Sequence, residues 1–248
     1  MIDWRVISER NSHPSHTIAQ GSKGVQFVMR THIFIAMTLL AIFLNAGLSL
    51  AAGLKYVGQS EDGKREGVWE VYREDGQLLS RGNFSNDLRS GKWITFDLQG
   101  LPTATGQYVS GRQNGLWSFF EKGIIKSRGY YVDDERHGIW ETFDSEGRLQ
   151  SREEYRQGER DGVRETFYTN GQLKSSEPTV NGYPSGLWVE FYETGVIKSV
   201  GYRKEFLKVG LWQFFYPTGQ LWKRGVYEGF EETEAWEYFQ PDGMPSKL

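Results

Sequence analysis

The side chains able to do chemistry in this chain are few, and most of them are better suited to holding something than to transforming it. His137 follows Asp133, Asp134 and Glu135 closely enough for a carboxylate-assisted general base to be conceivable, but the cluster reads far better as a solvated turn. No serine stands in a G-x-S-x-G context, and there is neither a phosphate-cradling glycine loop nor a histidine-rich metal site. The chain has no cysteine, which excludes disulfides, thiol catalysis, cysteine-ligated zinc and a lipidated N-terminal cysteine. No catalytic, cofactor-binding or metal-binding residue is assigned. What remains is binding chemistry. Arg164 stands where an indole is due and could meet an anion, while rows of tryptophan and tyrosine could stack on sugar rings or meet a protein. Arg164, Trp188, Trp212 and the off-register Trp222 are the candidate contact residues.

The elements that would position them follow from one period. Trp69, Trp93, Trp117, Trp140, Trp188, Trp212 and Trp236 lie 24, 24, 23, 48, 24 and 24 residues apart, with Arg164 at the midpoint of the long gap. A fixed period near 24 marks an array of about eight copies of one small unit. Each unit reads G-x-W-x-x-[FY]-x-x-x-G-x-[LIP]-x-x-x-G-x-[YF]. The aromatic three residues after the tryptophan and the central glycine (Gly76, Gly100, Gly123 and their equivalents) hold in all eight copies. Asp75-Gly76 and Asn170-Gly171 are hairpin signals, and β-favouring runs such as Trp188–Tyr192 and Val196–Val200 flank the central glycine. The expected fold is therefore all-β, an elongated antiparallel array of β-hairpins over residues 53–248. The 23-residue spacing places a deletion between Trp117 and Gly123, at a turn, where length changes cost little. One point stays open. Tryptophan and the aromatic three later have opposite parity, so either both faces carry aromatics or a bulge restores a single face.

The fifth unit departs furthest from the pattern. Arg164 replaces the indole, Glu177-Pro178-Thr179 replaces Gly-x-Tyr, and Pro184 follows. Two readings stand: a polar notch offered to an anionic ligand, or a drifted repeat. The acidic stretch Glu228–Glu234 reads either as a contact for a basic partner or as a solvated cap that stops end-to-end stacking.

Residues 33–52, IFIAMTLLAIFLNAGLSLAA, follow the basic Met29-Arg30-Thr31-His32 and end in small residues, the plan of a secretory signal. The apolar run Ile33–Leu44 is short for a spanning helix, which needs roughly 20 residues. Residues 29–52 are thus expected to be a signal peptide, with an uncleaved membrane-anchor helix as the alternative. Residues 1–28 are either an extension ahead of a true start at Met29 or a disordered tail. The expected location is the periplasm or the exterior. Residues 1–52 hold four basic and two acidic residues. The remainder carries 25 basic against 30 acidic, a balance of −5 that argues against a nucleic-acid partner.

The motif Y-x-x-G-x-x-x-G-x-W-x-x-[YF]-x-x-x-G-x-L, as in Tyr108–Gly111 leading to Gly115-Leu116-Trp117, resembles the MORN-repeat variant of bacterial proteins over roughly residues 56–248. The resemblance implies a β-hairpin array. It also implies the label of a YwqK-like antitoxin component of a toxin–antitoxin module, and a link to the membrane or protein scaffolding ascribed to eukaryotic MORN arrays. The functional expectation is a non-enzymatic, exported scaffold for a protein partner, antitoxin- or immunity-like. The alternative is a module that binds carbohydrate, the cell envelope or a membrane surface through its aromatic rows.

Overall fold

The computed structural model describes residues 53–233 and 236–246. The expected extension, signal and anchor of residues 1–52 lie outside these. The described part is all-β: one open sheet of antiparallel strands, each hydrogen-bonded to its sequence neighbours. In order they are β1 (Lys55–Glu61), β2 (Lys64–Tyr72), β3 (Leu78–Ser85), β4 (Leu88–Phe96), β5 (Pro102–Val109), β6 (Arg112–Glu121), β7 (Ile124–Val132) and β8 (Glu135–Phe143). There follow β9 (Leu149–Arg156), β10 (Glu159–Phe167), β11 (Leu173–Val180), β12 (Tyr183–Phe191), β13 (Ile197–Lys204), β14 (Leu207–Phe215) and β15 (Leu221–Gly229). Two short strands, β16 (Glu231–Glu232) and β17 (Glu237–Tyr238), pair with β15. No helix among the described residues is long and apolar enough to cross a membrane.

Two kinds of turn alternate along the meander. After the tryptophan strand, Gly76 N–H donates to Arg73 C=O at 2.9 Å and Arg73 N–H to Gln77 C=O at 2.8 Å, closing a three-residue loop with Gly76 at φ 83°. That is a type I turn completed by a left-handed residue, the reason glycine recurs there. The tight two-residue turns with both residues at positive φ sit at the opposite margin, at Asn86-Asp87 (φ 49° and 67°) and Asp133-Asp134 (φ 50° and 71°). In the 23-residue unit the three-residue loop becomes a two-residue one, Lys122-Gly123 (φ 51° and 78°), so one residue is lost without disturbing either strand.

The parity question resolves in favour of aromatics on both faces. Trp69 and Val71 are buried on one face, while Tyr72 turns to the other and its hydroxyl donates to Glu70 Oε2 at 2.6 Å. Bulges are present but serve the indole. Gly82 pairs with Trp93 and Asn83 with Ser90, so Gly91 and Lys92 are extruded from the ladder, with Gly91 at φ 62°. The indole Nε1–H of Trp93 donates to the Asn83 carbonyl at 3.0 Å. The same bond, to the carbonyl ten residues back, recurs for Trp69, Trp117, Trp140 and Trp212 at 3.0–3.1 Å. Each of these five indoles lies flat on a glycine of the preceding strand. A Cβ on Gly82 would come within 2.2 Å of the Trp93 ring.

Among the described residues the core is therefore one ladder lying on one face, without a second sheet to cover it. Trp69, Phe84, Trp93, Tyr108 and Trp117 meet edge to face with centroids 5.2–6.0 Å apart, and Tyr131, Trp140 and Tyr155 extend the series. Both margins are stitched from unit to unit. At the three-residue turns Tyr168 and Tyr192 hydroxyls donate to the carbonyls of Phe191 and Phe215, each at 2.8 Å. At the tight turns backbone N–H groups of Asp87 and Gly158 reach the carbonyls of Arg65 and Arg136. A lone hairpin has no such neighbours, so stability here is a property of the stack.

Candidate binding surfaces

The four sequence-chosen contact residues fall in different environments. Trp212 is 1% exposed, its N–H bonded to the Tyr202 carbonyl and its ring lying on Gly201. It is a packing residue and offers no face to a ligand, which corrects the expectation. Trp188 is half-buried beneath the Arg203 guanidinium, 4.1 Å from its ring. Trp222 is 42% exposed, on the bulged side of β15 and tilted against Tyr216. Arg164 bonds Glu153 through Nε at 2.9 Å. His137 lies exposed opposite Tyr130, while the Asp134 carboxylate accepts the Gln113 N–H at 2.7 Å. In the acidic C-terminal stretch, Glu232 accepts from the Tyr227 hydroxyl at 2.7 Å and pairs with Lys223 at 3.1 Å. Burial and then that acceptor push the Tyr227 hydroxyl up to about 12.

The break in the indole row is a paired substitution. Trp140, Glu153, Arg164 and Glu177 are successive cross-strand partners. Glu153 and Glu177 occupy the positions at which other units place the glycine beneath an indole. An arginine has thus replaced the tryptophan where a glutamate has replaced its glycine. The Glu153 side chain is 12% exposed and fully engaged: Oε1 with Arg164 Nε, Oε2 with Arg160 Nε at 2.9 Å and with the Tyr155 hydroxyl at 2.9 Å. Burial alone would raise its pKa, but the Arg160 charge and the bonds from Arg164 and Tyr155 outweigh this and hold the carboxyl below its ordinary value. Arg136 Nη1 donates to the same Tyr155 hydroxyl at 3.2 Å. Beyond Arg164, Glu177 is 4% exposed and accepts from Arg203 Nη1 at 3.0 Å. The loss of the last glycine of the fourth unit, at Glu153, was the sequence signal for this pairing.

Cations line the rest of the indole face. Arg65 lies 4.0 Å over Phe84, Arg89 4.5 Å over Trp93, Arg136 4.3 Å over Trp140 and Lys208 4.7 Å over Trp212. Burial, followed by the nearby Arg203 charge, lowers the Lys208 pKa.

The opposite face carries a feature the period alone does not show. Residues just before the indole positions of β6, β8, β10 and β14, with cross-strand neighbours in β7 and β13, form a row of exposed apolar side chains, Leu116, Tyr130, Ile139, Val163, Tyr202 and Leu211, interrupted at β9 by the exposed Glu154. Beside it runs an ion-pair ladder, Arg128–Glu141–Arg152–Glu165, with contacts of 2.6, 3.3 and 3.3 Å. In β12 and β13 the ladder gives way to the facing valines Val189 and Val200, so the apolar surface widens there. Among the described residues no group of His, Asp and Glu gathers as a metal site. The hollows lie at the margin of three-residue turns, one lined by Gln77, Leu78, Phe96, Leu98 and Gly100.

Comparison with known proteins agrees with the repeat seen in the coordinates. Residues 65–86, 136–157, 160–181, 184–205 and 208–228 each match the family model described as MORN repeat variant. No curated protein matches the sequence. Two solved structures of TarM, one of them a point mutant of the S. aureus protein in complex with fondaparinux, alpha-GlcNAc-glycerol and UDP, share 12% identity with the chain. Each match covers 54% of this chain and 21% of that one, with a TM-score of 0.26. The GtfA/B complex bound to UDP and GlcNAc shares 11% identity over 63% of this chain and 25% of that one, with a TM-score of 0.20. The chain thus spans a quarter or less of these proteins, and superpositions this loose carry no argument. Four of the five matched segments end on the first residue of a tight turn, at Asn86, Gln157, Asn181 and Glu205. The chain thus carries five copies of the MORN repeat variant.

Proposed function

We propose that this protein is an exported, non-catalytic scaffold that holds a protein partner against the face opposite its indoles. The observation that carries this reading is the apolar row on a one-layer sheet. Beyond the exposed Glu154 of β9 it runs unbroken across the strands β10 to β15, a distance of roughly 24 Å at about 4.8 Å per strand. Contiguous exposed apolar surface of that extent marks interaction sites in soluble proteins. An antitoxin- or immunity-like role outside the cytoplasm is the finer form of this proposal. Its partner would then be a toxin-like protein met after export through residues 29–52.

The glycan-binding alternative draws on aromatic rings. It is weakened by the burial of Trp69, Trp93, Trp117, Trp140 and Trp212, and retains Trp222 and exposed tyrosines such as Tyr130 and Tyr183. The two readings separate experimentally. A photo-crosslinking residue at position 139 of the full chain, expressed in its own cells, should capture one discrete protein. The adduct should vanish in L211E, and N-terminal sequencing should show a mature start near residue 53. Saturable binding of purified envelope glycan that is lost in W222A, without a crosslinked protein, would sink the scaffold reading.

A further inference from the structure

We infer that the break in the aromatic ladder is a binding site for a dianionic, phosphate-type group, held by Arg136, Arg160 and Arg164. Three guanidinium groups converge there on one carboxylate and one phenol. Arg160 and Arg164 both bond Glu153 through Nε, and Arg136 reaches the Tyr155 hydroxyl that also donates to Glu153. Guanidinium groups anchored by the Nε edge keep their terminal amino groups for a second acceptor, in the planar fork that suits a tetrahedral oxyanion. The Arg164 and Arg160 side chains are 38% and 49% exposed, so that fork is accessible from solvent.

The charge count favours a dianion. Three cations stand against the single carboxylate of Glu153, an excess of two positive charges within one hydrogen-bonded cluster. The neighbouring strand leaves this excess unchanged. Glu177, across from Arg164, is neutralised by Arg203 at 3.0 Å. On the same strands Asp161 is paired with Arg156 at 3.2 Å, and Glu165 points to the other face, where it meets Arg152. Shape agrees with charge. Thr179 stands where the first four units and the seventh place the tyrosine or phenylalanine of the ladder, and Pro184 stands where the first, second, fourth, fifth and seventh place an arginine or lysine. Smaller side chains therefore follow Arg164, between Tyr155 on one side and the Arg203–Trp188 stack on the other. Arg164, Thr179 and Pro184 are departures of the fifth and sixth units from the repeat, so this combination belongs to this chain and not to the repeat in general.

The test uses the full chain and three probes at fixed ionic strength: inorganic phosphate, glycerol phosphate and chloride. Intrinsic tryptophan fluorescence or calorimetry reads binding. Phosphate should bind saturably where chloride does not. R164Q and R136Q should each weaken it at least tenfold, and R224Q, on the opposite face, should leave it unchanged. R136Q leaves both Glu153 ion pairs in place, so it keeps the test valid should R164Q unfold. Tighter binding of glycerol phosphate than of inorganic phosphate would assign the site to a phosphoryl group on a larger molecule; the reverse order would assign it to the free ion. Phosphate affinity equal in the parent and folded R136Q proteins, or no saturation at all, would overturn the inference.

Discussion

Replacing Gly82 with alanine isolates the contact on which the array is built. Gly82 has strand backbone geometry, so alanine should by itself stabilise the fold by about 0.5–1 kcal/mol through a less flexible unfolded chain. Its methyl group, however, would sit 2.2 Å from the ring of Trp93, which is 2% exposed. The indole must lift. Overpacking of this kind costs about 1–3 kcal/mol. Lifting also strains the N–H bond to the Asn83 carbonyl, worth about 0.5–1.5 kcal/mol. It disturbs the edge-to-face contacts with Phe84 and Tyr108, worth a similar amount each. The net expectation for G82A is a loss of about 2–4 kcal/mol. Denaturant unfolding followed by tryptophan fluorescence measures it, and amide exchange in β3 and β4 localises it. In a W93A background the same substitution should be neutral or stabilising, because nothing remains for the methyl group to displace. An equal penalty in both backgrounds, or none in the parent, would refute the glycine-under-indole account.

R164W should destabilise the protein by about 2 kcal/mol or more, since Glu153 blocks the bed an indole needs and loses one of its two ion pairs. E153G/R164W should recover that loss and exceed the parent in thermal midpoint. Y192F removes the hydroxyl bond to the Phe215 carbonyl and should cost about 0.5–1.5 kcal/mol, visible as faster amide exchange at the end of β14. The folded protein holds the Tyr227 proton up to about 12, against an ordinary value of 10.0. Its stabilising contribution is therefore complete below pH 10 and lost as pH rises from there toward 12. Over that window the parent should lose stability faster than Y227F, by alkaline unfolding.

The hairpin array was legible because two residue types mark it without reference to any partner. Glycine at the three-residue turn reports a backbone angle, and the recurring indole reports the period. What escaped depends on register. Glu153 and Arg164 are eleven positions apart, and become a pair only once β9 and β10 are aligned. Trp188 and Trp212 are equivalent by spacing yet differ in burial, because Trp212 has Gly201 beneath it whereas Glu177 holds the corresponding glycine position for Trp188. The apolar row was missed for another reason. Leucine or isoleucine before tryptophan reads as core, and it stands exposed because, among the described residues, no second layer covers that side of the sheet. The opposite parity of Trp69 and Tyr72 was a correct sign of two aromatic faces, and the bulge at Gly91 served the indole without merging them.

Within β10, Val163 and Glu165 point one way and Arg164 the other. A polypeptide one strand thick has no interior to insulate its two sides, so whatever seats on either side leans on the same peptide groups. An occupant that stiffens Arg164 stiffens the backbone under Val163 as well, and the reverse holds by thermodynamic reciprocity. In such a molecule front and back are two readouts of a single ladder of amide bonds.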